Sequence, residues 1–292
     1  MTYIILKEND NKSLFEKIFE KFYKLKIENN GENKIIYLDN LNKITLNKLN
    51  KYFKIDCTSI VCISNDLMQN KMFLEILKNE NINFFDGRKI FEILTIDIVN
   101  YIVLNKKDKI EYQEISILTN TINENVSFII KELAIKIKTL NIISKNLKQF
   151  ENIEKKLFND SGIILNLTNN YNNSLKRNDI IINYDFSEEE INKFSINKNA
   201  CIINLANSKI SNFEGINICS AKIKVPNKYG LNTIKEYFNE FILYESIILK
   251  NTSIANMQKK IKNDSIHIEC LIGQKDIIRK NEFVKISKKI SI

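Results

Sequence analysis

The side chains best able to do chemistry in this sequence lie in short polar turns that follow apolar runs of strand length. One series reads Asn120-Thr121-Ile122-Asn123, Ser144-Lys145-Asn146, Thr168-Asn169-Asn170-Tyr171, Tyr184-Asp185-Phe186 and Ala206-Asn207-Ser208. These turns are small and rich in amides, hydroxyls and backbone N–H groups, a set suited to an anion or a hydrogen-bonding small molecule. The candidate binding residues are Asn120, Thr121, Asn123, Lys145, Asn146, Asn169 and Asn207. A second series, Asp10, Asp39, Asp66 and Asp86, closes or follows apolar runs nearer the N-terminus. Brought to one sheet edge, four carboxylates could hold Mg²⁺. Asp is also a preferred helix N-cap, and capping accounts for all four without a metal. In Asp86-Gly87-Arg88 the arginine falls in the first turn of a helical pattern, where the helix dipole disfavours a cation. Arg88 therefore calls for an anionic partner, either a ligand or a carboxylate, and Asp86 and Arg88 are read as cleft residues. His267, the one histidine, has no catalytic neighbour at useful spacing and is read as the start of a strand. No P-loop, GxSxG, zinc signature or paired-carboxylate motif is present, so no catalytic residue is assigned.

Turns of this kind need strands to deliver them to one place, and the chain supplies strands in alternation with helices. Apolar runs at 3–7, 34–39, 59–64 and 83–85 are separated by 3.6-period patterns, over Leu14, Ile18, Phe22 and Leu25, over Leu46, Leu49 and Phe53, and over Met68, Met72 and Ile76. A second series of runs falls at 115–119, 140–144, 163–168, 180–184, 200–206 and 218–225, with helices expected at 124–137 and 147–159. Alternation of this kind predicts α/β architecture with mainly parallel sheets and right-handed crossovers. The expected organisation is an N-terminal α/β domain at 1–86, an interdomain helix at 87–107 that is apolar on most sides, a Rossmann-like doubly wound domain at 108–230, and a C-terminal part at 231–292 that packs on the domain junction. That last part should hold a helix over 231–250, a shorter one around Met257 and Ile261, and a strand at 267–272. In a parallel sheet ligands bind beyond the carboxyl ends of the strands, so Asn120, Asn123, Lys145, Asn169 and Asn207 are expected to line one crevice facing Arg88.

The run LNIISKNLKQFENIEKKL, followed by RNDIIINYDF, resembles the second-to-fourth-strand segment of the Rossmann domain in shikimate dehydrogenase and glutamyl-tRNA reductase. The likeness spans residues 112–206 and rests on pattern. It implies NADP as the first cofactor to test, because in that group a basic residue after the second strand receives the 2′-phosphate, and Lys145 holds the matching position. The family's glycine fingerprint would fall at 120, 122 and 125. This chain has Asn120, Ile122 and Asn125 there, whose side chains crowd a pyrophosphate that needs bare backbone. The family's catalytic lysine has no recognisable motif here.

Composition narrows the class further. With 292 residues, 44% hydrophobic and 27% charged, the chain can bury two cores. No apolar run approaches the roughly 18 residues of a membrane span, and the N-terminus lacks a signal-peptide pattern; the expected location is the cytoplasm. Cys57, Cys62, Cys201, Cys219 and Cys270 sit mostly in apolar runs, without CxxC spacing, and read as buried thiols. The net charge is +9, and residues 255–292 hold 9 basic against 4 acidic residues. Their cations are nearly all lysine, and arginine forks and interleaved aromatics are scarce, which reads as a solvated face rather than a specific nucleic-acid surface. The leading expectation is a degenerate nucleotide site in a non-catalytic binding or regulatory module, with a protein or small-molecule partner and room for a homodimer. The alternatives are an NADP-dependent oxidoreductase with an atypical fingerprint and a nucleic-acid-binding module using the basic C-terminal region.

Overall fold

A computed structural model of the chain describes residues 1–7, 25–56, 59–170, 175–226, 234–249, 253–274 and 276–287. Asp10, Leu14, Ile18, Phe22, Cys57 and Tyr171 lie outside the described residues. The chain forms two compact units, one of residues 1–87 with 225–252, the other of residues 88–224 with 253–292.

In the first unit β1 (Thr2–Leu6), β2 (Lys26–Asn30), β3 (Asn33–Leu38), β4 (Ile60–Ile63) and β5 (Asn83–Phe84) form one sheet in the order β2-β3-β1-β4-β5. All pairs are parallel except β2 with β3, joined by a tight turn in which Gly31 takes φ 60°. The polar run KIENN of β2 gave no strand signal; it is exposed throughout, a charged edge strand that adds no apolar face. Alternation along β1 supplies two cores. Ile4 and Leu6 face the helices Lys43–Asp56 and Lys71–Asn79 through Leu46, Leu49, Phe73 and Leu77. Tyr3 and Ile5 face Ile234, Phe238, Ile242 and Leu243. The segment expected as one helix over 231–250 shows, where described, a 3₁₀ turn at Lys235–Tyr237 and a separate helix at Glu240–Ile248. Asn239 makes the break, because its side chain accepts from the Phe241 N–H and starts a new helix as N-cap.

Asn42 Oδ1 accepts from the Thr45 N–H at 2.9 Å and Asn70 caps Lys71–Asn79, whereas Asp66, read as a cap, lies inside the first turn of Asn65–Met68, with Ser64 at the cap position. Among the described residues no group of three or more His, Cys, Asp or Glu side chains could hold a metal ion.

The second unit opens with two helices, Arg88–Ile93 and Thr95–Lys106, not the single helix read over 87–107. The Thr95 hydroxyl turns back to the Phe91 carbonyl at 3.4 Å, a contact that bends helices. Ile90, Phe91, Ile98, Val99 and Ile102 are nonetheless buried, as expected of a stretch apolar on most sides. Then β6 (Glu114–Leu118), β7 (Thr139–Ile143), β8 (Asn166–Thr168), β9 (Ile180–Asn183), β10 (Cys201–Asn204) and β11 (Ile216–Ile218) form one parallel sheet in the order β11-β10-β9-β6-β7-β8. Counted from β6 this is the 3-2-1-4-5-6 order of a doubly wound Rossmann domain. The run 218–225, read as one strand, divides at Cys219: β11 stays with β10, while β12 (Ser220–Ile223) joins β13 (Ile268–Ile272) and β14 (Ile277–Ile278) in an antiparallel sheet. The Cys219 N–H already bonds to the Ile272 carbonyl at 2.9 Å, so the ladder changes partners at that residue. Among the described residues no helix is long and apolar enough to cross a membrane.

Candidate functional site

The strand order reverses between β6 and β9, so the turns leaving their carboxyl ends diverge and open a switch point. In this protein those two turns are bonded to each other. The Asp185 carboxylate, after β9, accepts from the Asn120 N–H at 2.7 Å, the Thr121 N–H at 3.0 Å, the Thr121 hydroxyl at 2.7 Å and the Thr119 hydroxyl at 3.3 Å. Two backbone donors of the first strand-to-helix turn, the type of donor a phosphate would take, therefore already face an anion from the chain itself.

Asn120 extends the closure sideways. Its Oδ1 accepts from the Lys145 N–H at 3.1 Å, its Nδ2 donates to Glu190 Oε1 at 3.2 Å, and its carbonyl accepts from Gln149 Nε2 at 2.6 Å. Lys145 is exposed, and its ammonium stands 2.5 Å from Glu190 Oε1. Glu190 also accepts from the Ser187 N–H, completing a capping box on Glu188–Ile191. Burial pushes the Glu190 carboxyl up, but the Lys145 and Ser187 bonds outweigh it and leave the pKa below its ordinary value.

The adjoining helix Glu124–Ala134 is capped by Asn123, whose Oδ1 accepts from the Val126 N–H at 2.9 Å; neither Asn120 nor Asn125 is its cap. Asn123 Nδ2 donates to the Tyr184 hydroxyl at 2.9 Å, and that hydroxyl donates to Glu92 Oε2 at 3.3 Å, itself paired with Lys89 at 3.0 Å. Burial, set against the Asn123 bond and reinforced by Glu92, raises the Tyr184 pKa. Asn125, in place of the fingerprint's third glycine, is fully buried; its amide lies near the Tyr184 hydroxyl without a hydrogen bond of its own.

The remaining predicted residues reach the same sheet edge with different surroundings. The Asn146 N–H turns onto Ser144 Oγ at 3.1 Å, Asn169 is exposed beyond β8, and Asn207 is exposed with φ 55°. Among the described residues none of these three bonds into the cluster. Asp86 and Arg88 are both exposed, Asp86 in the first unit and Arg88 at the start of the second. His267 is exposed ahead of β13, its Nδ1 3.3 Å from the Ser265 carbonyl. Cys62 and Cys201 are buried in strands, and these, Cys219 and Cys270 are unbridged.

The amide-rich loops are explained by the second tier of this edge. Buried Asn183 accepts from the Phe186 N–H and donates to Asn204 Oδ1, and Asn204 holds both the N–H and the carbonyl of Ser208. These amides stitch the loops after β9 and β10 rather than facing outward. Sequence reasoning missed the roles of Asp185, Glu190 and Gln149; the Ser187-x-x-Glu190 spacing was the available signal for a cap at that point.

No family model matches the chain, and no curated protein matches it. Among solved structures it is similar to L-tryptophan dehydrogenase from Nostoc punctiforme, with 11% identity, 99% of this chain and 86% of that one covered, and a TM-score of 0.33. It is also similar to aspartate carbamoyltransferase-like proteins of Trypanosoma cruzi (10% identity, 69% and 68% covered, TM-score 0.26) and Leishmania major (8%, 89% and 82%, 0.29). These scores carry no argument about function; the strand order itself gives the fold, an α/β protein of two domains with mainly parallel sheets, the second Rossmann-like.

Proposed function

We propose that this protein is a non-catalytic binding or regulatory module whose Rossmann-type nucleotide site is occupied by its own side chains. The observation that carries the reading is Asp185, a carboxylate with two backbone N–H bonds from the turn where a dinucleotide phosphate would sit. A phosphate would have to displace it or meet like-charge repulsion.

The NADP-dependent reductase reading draws on one feature, the exposed Lys145 ammonium after β7. Fluorescence titration of the purified protein with NADPH and NADH tests both. The module reading expects no saturation by either up to about 1 mM, equivalent to a free energy of binding weaker than about 4.1 kcal/mol. Saturable binding of NADPH, lost in Lys145→Ala and absent for NADH, would establish the reductase reading instead. Binding through the basic C-terminal region is expected to be weak, sequence-independent and lost between about 50 and 200 mM salt.

A further inference from the structure

In the first unit β2 is the outermost strand of the sheet and pairs only with β3. The turn of Gly31 and Glu32 makes Asn30 and Asn33 a hydrogen-bonded pair, so by alternation Lys26 and Glu28 also turn their N–H and C=O groups to β3, and Ile27 and Asn29 turn theirs outward. The register of the next pair agrees, because the Lys34 N–H, opposite Asn29, goes to the Met1 carbonyl on the far side of β3. Among the described residues no partner meets the outward N–H of Ile27 or of Asn29. All five residues of the strand are exposed, Ile27 at 39%. On one face of this free edge Lys26 pairs with Glu28 at 3.1 Å and lies over the Tyr37 ring at 4.9 Å, so both charges are held beside the open main-chain groups.

We propose that this edge pairs with the same edge of a second copy of the chain, antiparallel about a two-fold axis at Ile27, joining the two five-stranded sheets into one. The order of charges along the strand selects both the occupant and the register. Centred on Ile27, the pairing sets Lys26 opposite Glu28 of the partner subunit and Glu28 opposite the partner's Lys26, an attraction made twice. Centred on Lys26 it would set lysine against lysine, centred on Glu28 glutamate against glutamate, and centred on Asn29 it would oppose Glu28 to an asparagine. The favoured register also satisfies the main chain: the outward groups of Ile27 meet those of the partner's Ile27, and the outward groups of Asn29 meet those of the partner's Leu25. Lysine on an edge strand ordinarily blocks such pairing. Here the glutamate two residues along answers it across the two-fold. The strand lies in the first unit, so this inference stands whichever reading of the second sheet's carboxyl edge holds.

Sedimentation equilibrium of the full chain between about 5 µM and about 0.5 mM tests it, and should show a monomer–dimer equilibrium with a Kd at or below about 0.2 mM. Lys26→Glu and Glu28→Lys each turn both charged pairs repulsive and should raise the Kd about tenfold or more. Mixed in equal amounts, the two variants should form a heterodimer about as tight as the wild-type dimer, because an all-acidic strand then faces an all-basic one. Ile27→Pro removes an outward donor at a position that gives none to β3, and should abolish association with circular dichroism unchanged. If that variant does not fold, the two charge variants decide by themselves. A chain that stays monomeric throughout, a dimer whose Kd is the same in every variant, or a mixture of the charge variants no tighter than either alone overturns the proposal.

Discussion

In the first unit the polar groups beneath the sheet are few, sealed from water and aimed at one another. Tyr3 of β1 bonds to Ser246 Oγ at 3.2 Å, and because the Ser246 hydroxyl donates to the Leu243 carbonyl, Tyr3 is the donor. Glu245, 2% exposed, accepts from the Gly87 N–H at 2.7 Å, and burial, reinforced by the Glu245 carboxylate, pushes the Cys62 thiol well up. In the second unit Asp185 and Asn120 stand half exposed at the carboxyl edge of the sheet, and each makes several bonds: Asp185 accepts four, and Asn120 takes part in four. The lesson lies in what replaces a lost bond. Beneath the first sheet nothing does, so a few bonds carry large penalties; at the second sheet's edge water can, so many bonds carry modest ones. A surface that can be rearranged cheaply suits binding, and a sealed cluster suits structure.

The largest effect is therefore expected in the first unit. Glu245→Ala leaves the Gly87 N–H unpaired and opens a void, and should cost about 3 kcal/mol in urea unfolding. Glu245→Gln keeps an acceptor of the same shape and should cost less than about 1 kcal/mol. Equal losses in the two variants would show that the charge, and not the hydrogen bond, holds the cluster.

Alkaline pH probes the same cluster. Burial raises the Tyr3 pKa from 10.0 to about 12. The sign follows from the neutral phenol being favoured in the folded state: its contribution is complete below about pH 10 and is lost as pH rises toward about 12, at most about 2.7 kcal/mol. Thermal melting followed between those limits should fall steeply in the wild type and less so in Tyr3→Phe. Parallel curves would mean that another group controls the alkaline limb.

At the edge of the second sheet, Asp185→Ala removes the acceptor of two N–H groups and two hydroxyls and should cost about 2 kcal/mol, less than Glu245→Ala because water reaches the vacated donors. Asp185→Asn keeps one acceptor oxygen and should cost about half as much. A loss in Asp185→Ala that exceeds the loss in Glu245→Ala would erase the contrast between the two regions.

How much of this was legible in the sequence depends on which force set each element. The parallel strands were readable because runs such as ISIL and IIIN are apolar on both faces, as strands covered by helices must be. β2 was not, since an exposed edge strand leaves no apolar signature. The breaks at Leu94, Cys219 and Asn239 depend on single hydrogen bonds, which periodicity does not register. At the candidate site the sequence located the turns and the missing glycines, while the pairing of Asn120 with Asp185, 65 residues apart, is a long-range fact that local pattern does not carry. The same holds for Glu245 and Gly87, whose partnership spans 158 residues.

The smallest effect expected is the coupling of Lys145 to Glu190, and it bears most directly on whether the second sheet's edge can be remodelled. The Lys145 side chain is 56% exposed and the Glu190 side chain 13%, so solvent screens one partner while the other is held by the capping box. A double-mutant cycle with Lys145→Met and Glu190→Gln should give about 0.5 kcal/mol near pH 7, because glutamine keeps the capping bond and only the ion pair is removed. The Glu190 pKa is lowered in the folded state from an ordinary value of 4.5. Its contribution is therefore present above about pH 4.5 and is lost as the pH falls through the lowered folded value, so the coupling should fade on acidification below that point and shrink in about 1 M salt. A coupling above about 2 kcal/mol that survives salt would mean that Lys145 is clamped in place. In that case the edge is a fixed structural element like the Glu245 cluster, and a ligand that needs Lys145 to swing toward it, NADP included, would be excluded on energetic grounds.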